Sequence, residues 1–320
     1  MHVATGNARY ERLKMHKCLK ILVTSQKGGV GKSTVSANLA AFFQVNDYAV
    51  TLIDFDAHGS SSTWLRHAPA MGITIQHQPL PLNQGGNRPI LEARLHLRRA
   101  ANCFDVAICD LTWTDSIAGE LLFDFDIVIV PTSVSEIELA ATAGFLSQHR
   151  WVFDSKIHFP PTLLLCPTRV STDQLQADVF SVQRFPVSFM LAPPILEAQT
   201  AREMFERGYL MDLQDACGES FIEFGNAVCA ARDIREQALA SRKSAISSRY
   251  RSTPGRFTTA GTLSEQQTVL SRHRNQQVSA VSTLPKTQLV DPSPQKITIP
   301  NQGAFQRLLK KVSDNWNYLG

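Results

Sequence analysis

The chain has 320 residues, 43% of them hydrophobic and 19% charged, the make-up of a globular protein long enough to bury a sizeable core. No run approaches the ~20 apolar residues of a membrane-spanning helix, and segment 1–17 lacks the apolar centre of a secretory signal, so a cytoplasmic location is expected. The net charge of +4 hides an asymmetry: residues 1–240 carry 20 Lys/Arg against 25 Asp/Glu, and residues 241–320 carry 12 against 3, which turns the tail toward polyanions.

Segment 1–17 reads as a flexible arm. From residue 18 to 240, short apolar runs alternate with helical patterns. The runs are Leu19–Ser25, Ala49–Phe55, Phe104–Asp110, Asp126–Pro131 and Pro161–Cys166. They are nearly continuous in Val, Ile and Leu, as parallel strands covered on both faces require. Helices are expected over Gly31–Val45, Arg88–Ala101, Ser135–Val152, Glu197–Glu206 and Ser220–Ala240. Strand and helix in alternation predict an α/β fold, a doubly wound, mostly parallel sheet with helices on both faces.

The composition then shifts. Residues 241–300 are rich in Ser, Thr, Gln, Arg and Pro without a clear period, the pattern of a basic disordered linker. Over 301–320 a helical stripe returns in Phe305, Leu308, Leu309, Val312, Trp316 and Leu319 beside Arg307, Lys310 and Lys311. An amphipathic helix of this kind can lie on a membrane, dock on a partner or fold back. The six cysteines are scattered, with no Cys-x-x-Cys pair, and read as buried small hydrophobes.

The chemistry concentrates between the first strand and first helix, in Gln26-Lys27-Gly28-Gly29-Val30-Gly31-Lys32-Ser33-Thr34. Glycines let a backbone fold around an oxyanion with its N–H groups inward, and the positive end of the following helix adds to that field. Lys32 is placed for the β/γ-phosphates and Ser33 for Mg²⁺. Two strands end in carboxylates that complete such a site: Asp54-Phe55-Asp56, whose second Asp can orient water, and Phe104–Asp110, whose Asp110 can hold the metal. The alternative is that Asp54 or Asp56 merely ends a strand or caps the next helix.

The loop lacks the first glycine of the generic phosphate-binding motif and carries a second lysine, Lys27. In this it resembles the deviant Walker A loop of the ParA/MinD family of ATPases. The resemblance covers about residues 18–240. It implies ATP or ADP with Mg²⁺, backbone cradling by Gly28 through Thr34, and a homodimer closed by ATP in which Lys27 reaches the partner's nucleotide. Slow, partner-stimulated hydrolysis directed by Asp56 is implied as well. The family's Asp-x-Asp-Pro-Gln-Gly switch is altered here, with Ala57 and His58 in place of Pro and Gln. Its Asn-Arg pair near adenine becomes Thr168-Arg169, which makes Arg169 the candidate base contact.

Two surfaces are then open. Arg232, Arg235, Arg242 and Lys243 form the core of a basic cluster suited to non-specific DNA, as in partition or cargo positioning; the same charges can be a solvated helix end. The segment 301–320 suits a membrane-associated positioning ATPase of the MinD, flagellar or cellulose-machinery type. An iron–sulfur carrier would want paired cysteines and a tyrosine autokinase a tyrosine-rich tail; a metabolic ligase on the same loop stays open.

Overall fold

The computed structural model describes residues 17–82, 86–171, 173–174 and 185–251. The arm up to residue 16, the expected linker beyond Arg251 and the expected helix over 301–320 lie outside those residues. Within them the chain forms β1 (Leu19–Ser25), α1 (Lys32–Val45), β2 (Val50–Asp54), α2 (Ser60–His67), β3 (Thr74–His77), α3 (Arg88–Ala101) and β4 (Val106–Thr112). There follow β5 (Ile127–Thr132), α4 (Glu136–Gln148), α5 (Arg150–Phe153), β6 (Thr162–Val170), β7 (Met190–Leu191), β8 (Ile195–Leu196), α6 (Gln199–Glu203) and α7 (Ala216–Arg251).

The strands lie in the order β3-β2-β4-β1-β5-β6-β7, with β8 also on β6, and every described pair is parallel. The continuous apolar runs are explained by the pleat. Ile21, Val23, Leu52, Ile108, Ile127 and Ile129 enter one buried cluster, with α1, α2 and α7 against it. Their neighbours Leu22, Ile53, Cys109, Val128 and Val130 enter the other, under α3, α4 and α5. A period of two thus feeds two cores, so polar residues are excluded from both faces of the central strands.

Three details differ from expectation, each for a local reason. The helix expected over Ser135–Val152 is broken at His149, which takes a non-helical φ of −105° between α4 and α5. β3 and α2 carry weak signals, a half-buried four-residue edge and a serine-rich start, and only tertiary contacts define them. Helix α7 starts where Asp215 Oδ1 accepts from Cys217 N at 2.9 Å and Gly218 N at 3.0 Å. It then runs past Ala240 to Arg251. The sequence Ser241–Arg251 holds neither Gly nor Pro, so nothing in it breaks a helix already nucleated.

Helix α7 is anchored on the sheet by Phe221, Phe224 and Val228, all fully buried, and it approaches α1 closely at Gly225. Phe224→Ala is expected to remove about 3–5 kcal/mol of stability by leaving a cavity. Denaturant melts of variant and parent check this; an unchanged midpoint would show that α7 is dispensable to the core.

Candidate functional site

In a parallel sheet, ligands gather at the carboxyl ends of the strands where the chain order reverses. Here that point is β1, flanked by β4 on one side and β5 on the other. The turn from β1 to α1 is the glycine loop. Gly29 and Gly31 hold φ of +79° and +90°, which a side chain would strain. Gly31 stands at the N-cap of α1, where no side chain bonds the first N–H groups. Those donors are left for an anion. The loop is tied from both sides: Ser25 Oγ donates to Lys27 O at 2.8 Å and Thr168 Oγ1 donates to Val30 O at 2.8 Å.

Lys32, the first residue of α1, turns its side chain into the sheet end. Its ammonium lies 2.7 Å from Asp56 Oδ2 and 3.4 Å from Asp110 Oδ1. The two acidic residues arrive there through strand register. Asp54 pairs with Asp110 across β2 and β4, and Asp56 lies two residues beyond Asp54. Lys32 and Asp110 are buried, at 9% and 0% exposure, so their charges interact through protein more than water.

The proton affinities follow from that crowding. Burial pushes the Asp110 carboxyl up to about 6; the Lys32 ammonium pulls it down, Asp56 and Asp54 push it up, and the Ser33 hydroxyl lowers it. Burial also disfavours the Lys32 charge, but Asp110 and Asp56 outweigh it and raise the ammonium above its ordinary value. For Asp56, burial is outweighed by Lys32 and by Thr112, and the carboxyl falls below its ordinary value.

Each residue singled out in the sequence has a place. Gly28, Gly29, Val30, Gly31, Ser33 and Thr34 form or directly follow the loop, and Lys27 makes no ion pair among the described residues. Asp54 is a structural anchor: its Oδ2 accepts from Ser61 Oγ and Ser62 N, both at 2.9 Å, and fixes the start of α2. Arg169, at φ +55°, places its guanidinium 2.9 Å from Glu138 Oε1 and lines an apolar cleft of about 260 Å³ beside the loop. Val35, Trp64, Thr168, Ile195 and Phe205 share that cleft.

The basic cluster needs a correction. Arg235 is 8% exposed; its Nη1 donates to Pro160 O at 2.6 Å, and Asp126 lies 3.5 Å from its Nε. A guanidinium held this way braces α7 against the β5–β6 side and cannot reach a polyanion. Arg232 is partly drawn in, donating to Tyr48 Oη at 2.8 Å, whereas Arg242 and Lys243 are exposed. Helical spacing could have flagged Arg235, which falls seven and eleven residues from the buried Val228 and Phe224 on one face of α7.

Sequence reasoning also missed Thr112, whose N donates to Asp56 Oδ1 at 2.6 Å and whose Oγ1 donates to Oδ2 at 2.7 Å. Its only signal was its position, two residues past Asp110 on the same strand face. The six cysteines are unpaired; Cys18, Cys109, Cys166 and Cys217 are buried. Among the described residues no three His, Cys, Asp or Glu gather as a metal cluster, and no helix is long and apolar enough to cross a membrane.

A parallel sheet with a glycine loop opening the helix after its central strand, and with acidic residues closing the two neighbouring strand ends, defines the P-loop nucleoside-triphosphatase class. The chain belongs to the CobQ/CobB/MinD/ParA nucleotide-binding domain family, whose model matches residues 21–310. It is similar to the chromosome-partitioning ATPase Soj of Thermus thermophilus, 32% identical over 134 residues, 40% of this chain and 52% of Soj. It is also similar to an iron–sulfur cluster carrier protein of Methanococcus maripaludis, 58% identical over 66 residues, 21% of each chain. The matched stretches thus span about half or less of these relatives' lengths. Among solved structures, an ATP complex of a McdA variant from Cyanothece has a TM-score of 0.56 at 16% identity, covering 67% of this chain and 97% of McdA. At that identity the likeness concerns the fold.

The electrostatics give a signed prediction. Lys32→Ala leaves two carboxylates without their cation and is expected to cost about 3–5 kcal/mol at neutral pH in the absence of nucleotide. Asp110, whose folded pKa lies above its unfolded value of 3.8, opposes folding increasingly as pH rises toward and through 6. Lys32 offsets that opposition. The stability gap between parent and Lys32→Ala should therefore be larger at pH 7.5 than at pH 5, where Asp110 is mostly protonated; equal gaps in denaturant melts contradict the assignment.

Proposed function

We propose that the protein is a Mg²⁺-dependent ATPase that works as an ATP-closed dimer switch and positions DNA or a large cargo attached to it. The observation that carries this reading is the ammonium of Lys32 held between Asp56 and Asp110 at the mouth of the glycine loop. A triphosphate entering the loop offers Lys32 denser negative charge than the carboxylates do, and the unbonded N–H groups of α1 hold its oxygens. The cleft beside Val35, Trp64 and Thr168 has room for a base, with Arg169 at its edge.

The residues fit a divalent cation. Asp110 Oδ2 is buried with no hydrogen-bond partner among the described residues, and the Ser33 hydroxyl acts on the same carboxylate. These two would hold Mg²⁺, which supplies charge neutralisation on the β- and γ-phosphates when bound. Asp56, released by Lys32, would orient the attacking water. Lys27, which makes no ion pair among the described residues, is suited to reach the nucleotide of a second copy, as the family resemblance implies.

For the cargo, the exposed Arg242 and Lys243 and the tail's excess of 12 Lys/Arg over 3 Asp/Glu favour a polyanion read without sequence specificity. The similarity to Soj supports the same choice. Similarity to iron–sulfur carriers pulls the other way, but four of the six thiols are buried in the cores and offer no paired ligands. A partner protein that stimulates hydrolysis is part of the proposal, and membrane association through 301–320 is its alternative.

Two measurements test this. Steady-state hydrolysis should require Mg²⁺ and should fall at least about a hundredfold in Asp56→Asn, with nucleotide still bound; normal turnover in that variant removes Asp56 from the reaction. Affinity for arbitrary duplex should rise with ATP and drop steeply between low and moderate salt. Duplex binding that ignores salt, or none, counts against the DNA reading, whereas vesicle flotation that is lost when residues 301–320 are deleted favours the membrane alternative.

A further inference from the structure

β4 delivers more than Asp110. Residues two apart on a strand share a face, and Thr112 is the last residue of β4. Since Asp54 pairs with Asp110, the register places Asp56 opposite Thr112, just beyond the end of β2. There the backbone ladder gives way to a side chain. Phe55 N still donates to Asp110 O at 2.9 Å, but the next N–H along β4's edge, that of Thr112, donates to the Asp56 carboxylate. The Thr112 hydroxyl donates to the other carboxylate oxygen at 2.7 Å.

Asp56 is therefore gripped on both oxygens by one residue, and the Lys32 ammonium shares Oδ2. The grip is rigid. Trp113, next in the chain, is 1% exposed and packs edge-on against Phe145 and His149 with ring centroids 5.7 and 5.1 Å away. From the other side, the His77 ring nitrogen Nε2 lies 2.9 Å from Asp56 O and fixes the backbone. A carboxylate without such partners turns freely about its last bond. Once Lys32 leaves for a phosphate, Thr112 is what keeps Asp56 from doing so.

We propose that Thr112 is a positioning residue for the reaction: its N–H and O–H together hold the Asp56 carboxylate in the orientation from which it directs water, before and after Lys32 moves to the nucleotide. This rests on the ATPase reading above. The N–H and O–H of Thr112 both go to Asp56 and not to the glycine loop, so its contribution is to the rate of the chemical step and not to nucleotide affinity.

The test is steady-state ATP hydrolysis, together with calorimetric nucleotide affinity, for Thr112→Val, Thr112→Ala and Thr112→Ser, each made alone and with Asp56→Asn. Losing a hydrogen bond to a charged group should lower kcat about tenfold or more in Thr112→Val and Thr112→Ala. Affinity and KM should stay within about twofold of the parent, and Thr112→Ser should retain most of kcat. In the Asp56→Asn background the same changes should cost nothing further, because the group they position is gone. Unchanged kcat in both hydroxyl deletions overturns the proposal. So does a loss carried by affinity, a serine variant as slow as valine, or a loss that adds fully to that of Asp56→Asn. The parent protein separates the two levels: no hydrolysis in the parent sinks the ATPase reading and this one with it, whereas normal hydrolysis in the parent and in Thr112→Val sinks only the role of Thr112.

Discussion

One ammonium group between two carboxylates organises this end of the molecule. Lys32, Asp56 and Asp110 come from α1, from the turn after β2 and from β4, so their meeting requires the strands to be in register and α1 to start where it does. Burying a lysine is costly unless it is paired, and burying two carboxylates beside each other is costly without a cation. The three groups resolve each other's penalty. Any anion dense enough to draw Lys32 away leaves both carboxylates with unsatisfied capacity, and this is the link between nucleotide entry and the chemistry proposed for Asp56 and Asp110.

The geometry also makes the two acidic residues unequal. Asp110 is sealed in, carries one oxygen without a hydrogen-bond partner among the described residues, and has its pKa raised by burial to about 6. Asp56 is partly exposed, saturated with donors, and has its pKa lowered by Lys32 and Thr112 against the effect of burial. A carboxylate with an orphaned oxygen suits a metal; one held in a fixed orientation near water suits the orienting of an attacking water. The division of roles thus follows from environment, since the residue type is the same.

Much of this was legible in the sequence because the physics is local. Near-continuous Val, Ile and Leu in β1, β4 and β5 pointed to buried parallel strands, and Gly28, Gly29 and Gly31 ahead of Lys32 pointed to an oxyanion-wrapping turn between the first strand and the first helix. What escaped was set by tertiary contact. β3 and α2 are short and half polar, and they hold together through β2 and through Asp54. Thr112 gave no motif; its role exists only because the register carries it to Asp56. Arg235 was misjudged because its charge suggested the surface, whereas the Pro160 carbonyl and Asp126 provide a buried seat. Helix α7 ran beyond Ala240 since polarity alone does not stop a helix.

Everything proposed for the protein descends from the capture of a triphosphate by the glycine loop and Lys32. Isothermal calorimetry of the purified chain with ATP and Mg²⁺ examines that step most directly. The account predicts uptake of one nucleotide per chain, lost in Lys32→Ala. Absence of heat and of bound nucleotide for both ATP and ADP in the parent protein would contradict it.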